Sequence, residues 1–371
     1  MLEYKRILEA KRRMEFNMTE PEVLRRLIEV AKKKGDGLQQ DLQRLSRQVG
    51  EILEACRNNA LLLTRSDLER VSVRYNRCVG IDGSFQLRGG AGGRWHVFYS
   101  VARVVFENGL GGQPEIEFWA DIEDISEQEE FKPEIAATLL MLTAETKAIF
   151  NWGVNNKPAY VMIDGPIVDP PFFIKDSHDY LEYRCEAIKK ILQHSVIIGC
   201  VKRPRDNFYV RYLFNILHDQ NLKKKLEVFQ TDQYLMAMIF AKMRREGYTY
   251  PFFTKPIDVS EINNLYKTYK EKGIHIITLF FQKNPSTPVL RLDIPLLNKV
   301  ESELNFYTNI LHIVKVIDMW IYPGQDYPLP VYLAHEKSNI REGCADTLYF
   351  EIMTRGYATD PDNQLVLHQL R

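Results

Sequence analysis

Two short segments of the chain place an aspartate after an apolar run and before a glycine. They are residues 79–84 (VGIDGS), with Asp82, and residues 161–165 (VMIDG), with Asp164. This pattern predicts a strand that ends at the carboxylate, and the glycine lets a ligand or a phosphate approach the backbone. Asp-Gly is also a common turn dipeptide, so one copy alone is weak. Two copies in similar contexts predict that both carboxylates lie at one edge of one sheet.

A third carboxylate, Glu145, belongs to a helix predicted over residues 133–150. It lies three residues after Leu142 and four before Ile149, on or beside the apolar stripe of that helix. A carboxylate there is costly unless it has a partner, although it could also be a border residue that reaches water. Three carboxylates are typical ligands of Mg²⁺ or Mn²⁺. Two such ions about 4 Å apart can activate a water and stabilise the leaving oxygen of a phosphodiester.

Basic residues and one histidine extend this candidate site. A strand predicted over 195–202 ends in a basic cluster of Lys202, Arg203 and Arg205. Its position beyond the strand with Asp164 favours a contact with phosphate over a merely solvated strand end. His335 ends the apolar run 330–335, which we interpret as a strand. A lone histidine there is either a hydrogen-bonded structural residue or an active-site residue.

The composition limits the classes of function that are possible. The chain has 371 residues, with 49 Lys+Arg against 49 Asp+Glu, so any affinity for nucleic acid must come from a local basic patch. The five cysteines have no CxxC spacing, which argues against a zinc module and a disulfide scaffold. We find no signal peptide and no apolar run of membrane-spanning length, so we expect a cytoplasmic protein without a membrane partner.

The elements that would position these residues divide the chain into three parts. Residues 1–70 are predicted as a helical extension with a capping box at Thr19–Glu22 and a break at residues 35–37. After this break, apolar residues recur at steps of four and three, which is typical of a coiled-coil-like seam. The seam would contact either its own domain or a second subunit. Its residues are Leu38, Leu42, Leu45, Val49, Ile52 and Cys56.

The second part, residues 71–355, is predicted as one α/β domain, and residues 356–371 as a tail. Three antiparallel strands come first, followed by the helix with Glu145, the strand with Asp164, a helix at 180–194 and the strand 195–202. This order is typical of an RNase H-like mixed-sheet core. The remaining residues are predicted as additional helices (213–226, 233–245, 301–316, 341–354) and strands (275–281, 288–292).

The chain resembles the NurA nucleases, the DNA end-processing partners of the HerA hexameric translocase, over about residues 75 to 350. The resemblance is carried by residues 80–84 (GIDGS), Glu145, 162–165 (MIDG), 199–202 (GCVK) and 331–335 (VYLAH). It implies an RNase H-like core, a homodimer, and manganese-favoured 5′-to-3′ exonuclease and single-strand endonuclease activity in DNA end resection. One departure is Pro166 after the second Asp-Gly, where we expect serine.

The resemblance also implies roles for individual residues. Asp82, Glu145, Asp164 and His335 look like ligands of Mn²⁺ or Mg²⁺, with two ions expected, and Lys202 would face the scissile or adjacent phosphate.

Other functions remain open from the sequence. A junction resolvase or RNase H would use the same core, and a non-catalytic adaptor of a motor ATPase would need no carboxylates. An actin-like ATPase would need a second phosphate hairpin and a glycine-rich adenosine site, and we find neither. Digestion of end-labelled linear DNA with Mn²⁺, Mg²⁺ or EDTA is the most informative experiment, and nucleotide binding would identify an ATPase.

Overall fold

The computed structural model describes residues 20–89, 94–126, 132–155, 157–169, 178–297 and 303–357. Thr19 of the predicted capping box and residues 358–371 of the predicted tail lie outside these ranges.

The described residues form eleven helices and ten strands. The helices are α1 Pro21–Asn58, α2 Arg65–Leu68, α3 Pro133–Val154, α4 His178–Leu192, α5 Phe208–Ile216, α6 Gln220–Leu226, α7 Asp232–Arg245, α8 Asn264–Glu271, α9 Glu303–Trp320, α10 Leu329–Ser338 and α11 Glu342–Tyr357. The strands are β1 Leu62–Leu63, β2 Cys78–Gly89, β3 Arg94–Phe106, β4 Glu115–Ser126, β5 Tyr160–Asp164, β6 Val196–Val201, β7 Phe252–Thr254, β8 Ile257–Asp258, β9 Ile274–Gln282 and β10 Leu290–Leu297. None of these helices is long and apolar enough to cross a membrane.

Within the described ranges, ten strands form one mixed sheet. Its order is β1-β7-β9-β10-β6-β5-β2-β3-β4, and β8 pairs with β9. β2, β3 and β4 are antiparallel, whereas β5 is parallel to both β2 and β6. An antiparallel meander followed by parallel strands on its first strand is the RNase H-like arrangement. The predicted α/β mixed-sheet fold is therefore confirmed.

The central strands are buried on both faces, which explains their continuous apolar sequences. One face of β2 and β5 packs Ile81 and Ile163 against Ile149 of α3. The opposite face packs Met162 with Val331 of α10. The site residues at the ends of these strands are therefore held by a sheet covered with helices on both sides.

α1 is longer and more continuous than predicted. The helix runs for 38 residues through Gly35 and Gly37, so the predicted break is wrong. Glycine inside a helix costs about 1 kcal/mol relative to alanine, which weakens a helix without ending it as proline does. The predicted seam divides into two parts: Leu38 and Leu42 are exposed, whereas Leu45 and the later members are buried in the core.

Three further predictions are corrected by the backbone. β2 does not end at Asp82, because its antiparallel ladder with β3 continues to Gly89. Residues 330–335 are not a strand but part of α10, since a short apolar run fits a buried strand and a buried helix equally. The single helix predicted over 213–226 is two helices, and the Asp219 side chain accepts a hydrogen bond from the Asn221 N–H at the start of the second. The short strands β1, β7 and β8 and helix α8 were not predicted.

Gly80 sets the distance between β2 and α10. A Cβ atom at residue 80 would lie 2.0 Å from the Pro330 carbonyl oxygen and 2.8 Å from the Val331 nitrogen. These are backbone atoms, so no side-chain rotation could relieve the overlap. The missing side chain of Gly80 therefore allows α10, and with it His335, to lie directly on the strand that carries Asp82.

We predict that Gly80→Ala displaces α10 and lowers the free energy of unfolding by about 1–3 kcal/mol or more, the usual range for overpacking. Chemical denaturation measures this loss. Gly37→Ala is the matched control, because nothing lies within 4 Å of a Cβ at residue 37 and the change removes a helical glycine. The control variant should be as stable as the wild type or slightly more stable. A Gly80→Ala protein of wild-type stability would contradict the proposed close approach.

Candidate metal centre

The parallel pairing of β2 with β5 brings two aspartates together. Ile81 pairs with Ile163, so the next residues, Asp82 and Asp164, lie side by side. Asp82 is buried within the longer strand β2, whereas Asp164 ends β5 and is partly exposed. The sequence predicted that the two carboxylates lie close together in the sheet, and the structure places them side by side. Only one of the two strands ends there, because β2 continues past Asp82.

His335 approaches both carboxylates from the last turn of α10. Its Nδ1 atom lies 2.9 Å from Asp82 Oδ2 and 3.4 Å from Asp164 Oδ2. The potential ligand atoms of these three residues all lie within 4.8 Å of one another. Two carboxylates suit Mn²⁺ or Mg²⁺, and an imidazole is a ligand of transition ions more than of Mg²⁺, so this donor set favours an ion such as Mn²⁺. The spacing is close to that of ligands around one ion. The residues present therefore fit a divalent metal.

Hydroxyl and amide groups fix α10 on the sheet. Ser338 Oγ donates to Asp82 Oδ2 at 3.1 Å, and the Ser338 carbonyl accepts hydrogen bonds from the hydroxyls of Ser84 and Ser100. Gln86 Nε2 donates to the Ile340 carbonyl at 3.1 Å. None of these supporting roles was predicted. The sequence does contain a pattern that indicates them, because small or polar residues occupy positions 80, 82, 84 and 86, which lie on one face of β2.

Lys202 follows β6 directly and points into the same site. Its Nζ lies 2.5 Å from Asp164 Oδ2 and 3.6 Å from the centre of the Tyr327 ring. Burial alone would lower the pKa of Lys202, but Asp164 and then Tyr327 act in the opposite direction and together raise it. Lys202 is therefore a fixed positive charge beside the two aspartates. Arg203 and Arg205 are exposed on the segment that follows.

The proximity of these groups shifts their proton affinities. Burial, and then the neighbouring Asp82, raise the pKa of Asp164, while Lys202 opposes this shift. The hydrogen bond with Asp82 raises the pKa of His335 against the opposing effects of burial and Lys202. In the absence of an ion, the site thus favours a protonated imidazole between the carboxylates. A metal ion would displace that proton.

Glu145 lies outside the group of three ligands. It is buried on α3, and Arg184 Nη1 of α4 lies 3.3 Å from its Oε1 and donates to Thr146 Oγ1 at 3.2 Å. Arg184 also faces Asp169, with Nε 3.8 Å from Oδ2. Burial is the main cause that raises the pKa of Glu145 to about 8, and Asp82 and Asp169 act in the same direction. The predicted ligand is therefore part of a second buried charge cluster.

Residues 77–340 match the family model of the NurA domain. A search of curated proteins gives no match. Among solved structures, the chain is similar to the crystal structure of the NurA nuclease from Sulfolobus solfataricus, with a TM-score of 0.58 and 13% identity over 92% of this chain and 99% of that chain. At this identity, the similarity shows a shared fold.

Two endonuclease V structures are more distant. That of Bacillus subtilis has a TM-score of 0.35 and 11% identity, covering 77% of this chain and 90% of its own. That of Ciona intestinalis, in complex with a 24mer DNA containing an inosine, has a TM-score of 0.33 and 12% identity, covering 82% of this chain and 96% of its own. These TM-scores are too low to indicate a shared fold.

The raised pKa of Glu145 predicts a pH-dependent stability. Between pH 4.5, its ordinary pKa, and about 8, the folded chain holds a proton that the unfolded chain releases. The free energy of unfolding should therefore fall as pH rises through this range, by at most about 1.4 kcal/mol per pH unit for one proton. Glu145→Gln should remove that part of the slope.

The measurement is chemical denaturation at several pH values in EDTA, which removes adventitious ions. The difference between wild type and Glu145→Gln isolates residue 145 from other buried acids such as Asp232, whose pKa burial raises to about 7. Glu134→Gln, exposed on the first turn of the same helix, is the control and should retain the wild-type slope. Equal slopes for wild type and Glu145→Gln would contradict a proton held on Glu145.

Proposed function

The chain belongs to the NurA domain family, and we propose that it is a divalent-metal-dependent nuclease that hydrolyses phosphodiester bonds in DNA. The observation that carries this proposal is the convergence of Asp82, Asp164 and His335, whose ligand atoms all lie within 4.8 Å of one another. The three residues come from β2, β5 and α10 and are separated by up to 253 positions in the chain. Side chains that face solvent independently would not converge in this way.

Each residue has a task in this proposal. Asp82 and Asp164 would hold Mn²⁺ or Mg²⁺ together with His335, and Ser338 keeps Asp82 oriented through its hydroxyl. When bound, such an ion activates water and neutralises charge that develops on the phosphate. Lys202 brings a positive charge to the same place and would bind the scissile or adjacent phosphate. Arg203 and Arg205 would contact the backbone further along the strand.

Whether one ion or the expected two are bound depends on Glu145. The three converging ligands are enough for one ion, with phosphate oxygens and water completing its coordination. A second ion would need a further carboxylate, and Glu145 is the remaining member of the predicted set of ligands. Its pairing with Arg184 would have to open first, because Arg184 now occupies its carboxylate.

The finer function rests on the resemblance to NurA nucleases. We infer 5′-to-3′ exonuclease and single-strand endonuclease activity on DNA ends, in end resection for double-strand break repair with a HerA-type hexameric ATPase. Digestion of end-labelled single- and double-stranded DNA, with and without such an ATPase, tests polarity and partnership. Labels released from the 3′ end first would contradict the inferred polarity.

We predict that the two aspartates and His335 act after DNA binding. Asp82→Asn and Asp164→Asn should abolish cleavage in Mn²⁺ while the fold remains intact, because the change removes charge and little volume. His335→Ala should lower the rate of cleavage by roughly 10²–10⁴-fold with little loss of affinity. Lys202→Ala should instead raise the Kd for DNA and reduce the salt dependence of binding by about one unit of slope.

Two measurements separate these effects: DNA binding in Ca²⁺, which occupies the site without supporting turnover, and single-turnover cleavage in Mn²⁺. Asp121→Asn, an exposed carboxylate on β4, is the control and should bind and cleave as the wild type does. Cleavage at a near wild-type rate by either aspartate variant would contradict the assignment. Unchanged affinity of Lys202→Ala at every salt concentration would contradict the phosphate contact.

We also propose a homodimer in which the first part of α1 takes part. All large exposed apolar residues of this part of the helix except Ile28 lie along one side; they are Val23, Leu27, Val30, Leu38 and Leu42. A 38-residue helix is about 57 Å long, and its buried residues begin only at Leu45. The first half therefore presents an apolar stripe that continues the seam buried against α7.

We predict that the protein is a dimer at micromolar concentration and that Leu38→Glu with Leu42→Glu makes it a monomer, because two charges would be buried in the contact. Light scattering measures the mass. Gln40→Glu, which adds a charge to the opposite side of the same turn, should leave the dimer intact. A monomeric wild type would contradict the homodimer, and a dimeric double variant would place the contact elsewhere.

A further inference from the structure

Two tyrosine rings lie beside the metal centre. Tyr327 precedes α10, and its ring lies beneath Lys202 Nζ, which in turn contacts Asp164. The ring of Tyr332, in α10, has its centre 5.8 Å from that of Tyr327, with an angle of 49° between the planes. Both side chains are only partly buried. The two rings thus lie next to one another beside the charged centre, and each keeps part of its surface in water.

The position of Tyr332 is not explained by the packing of α10. The buried side of this helix is formed by Val331, Ala334 and Ser338, whereas Tyr332 keeps part of its surface in water. Tyr332 lies one turn before His335, so its ring is on the same side of the helix as the candidate ligand. A tyrosine here adds apolar surface next to a site where a charged, hydrated substrate backbone would bind.

Aromatic rings beside a positive charge are a common feature of proteins that bind single-stranded nucleic acid. The cation holds the phosphate, and the ring faces stack on the base, whichever base it is. We propose that Tyr327 and Tyr332 form a stacking platform for an unpaired base of the DNA strand whose neighbouring phosphate lies at Lys202. This inference rests on the proposed nuclease function. It assigns to the platform a preference for unpaired nucleotides without a preference for base sequence.

The two rings have separable contributions. Tyr327 contacts Lys202 directly, so its loss changes both the platform and the position of the lysine. The ring contact of Tyr332 in the described part of the chain is with Tyr327. Tyr332 is therefore the cleaner probe. Tyr332→Phe keeps the ring and Tyr332→Leu removes it.

The experiment measures binding of a 20-nucleotide single strand to the full chain in Ca²⁺, so that no cleavage is needed. We expect Tyr332→Leu to raise the Kd about 5- to 150-fold, the factor that loss of one stacked base would produce, and Tyr332→Phe to bind as the wild type does. Tyr248→Leu is the matched control. This tyrosine is exposed, and the centre of its ring lies 4.8 Å from Cζ of Arg57, a residue of α1. It should leave the Kd unchanged.

A second oligonucleotide tests whether a base is what the ring contacts. It has the same length and the same phosphates but carries no bases, because a strand bound without sequence preference could shift its register to avoid a single abasic nucleotide. The wild type should lose on this strand at least the factor in affinity that Tyr332→Leu loses on the normal strand, and wild type and Tyr332→Leu should bind the abasic strand equally. This wild-type measurement stands even if Tyr332→Leu does not fold.

Three outcomes would overturn the platform: equal affinity of Tyr332→Leu and wild type for the normal strand, a Tyr332→Phe protein as weak as Tyr332→Leu, or equal affinity of the wild type for the normal and the abasic strand. A wild type that neither binds nor cleaves DNA would instead overturn the proposed function.

Discussion

The pairing of β2 with β5 is the constraint on which the site depends. Because Ile81 pairs with Ile163, the backbone forces the Asp82 and Asp164 carboxylates together. Two like charges about 4–5 Å apart repel by about 3–4 kcal/mol at the effective dielectric of a protein. The chain supplies positive charge and hydrogen-bond donors from two other elements, with His335 in α10 and Lys202 after β6. A divalent cation would neutralise the charge of the two carboxylates more completely.

The alternation of side chains along β2 separates this site from the Glu145 cluster. Gly80, Asp82 and Ser84 face α10, whereas Ile81 and Gly83 face α3; a Cβ at Gly83 would lie 2.6 Å from Met141 Sδ of that helix. Glu145, four residues after Met141, therefore approaches from the other face of the sheet. The two clusters are connected through the chain, because Asp169, which faces Arg184, lies five residues after Asp164. Arg184 thus fixes the segment that leaves the metal centre.

The sequence predicts the parts of this site that depend on local apolar runs and their flanking residues. Two apolar runs that lead into the same Asp-Gly dipeptide were enough to predict the Asp82–Asp164 pair. The partner of Glu145 was not predictable, since Arg184 lies 39 residues away and their contact depends on how α3 and α4 pack. β2 was predicted too short because Asp-Gly resembles a turn, whereas thirteen residues of β3 are available to continue the ladder.

Residues 329–338 form a helix, and this determines which side chains reach the site. The strand predicted for residues 330–335 is the prediction that differs most from the structure. In a strand, residues 332 and 335 would point to opposite faces, because their separation is odd. In a helix, Tyr332, His335 and Ser338 follow at steps of three and occupy one side of α10. The hydroxyl then reaches Asp82, the imidazole reaches both aspartates and the ring meets Tyr327. This helix fits only because residue 80 has no side chain, so a glycine in β2 determines which groups surround the carboxylates.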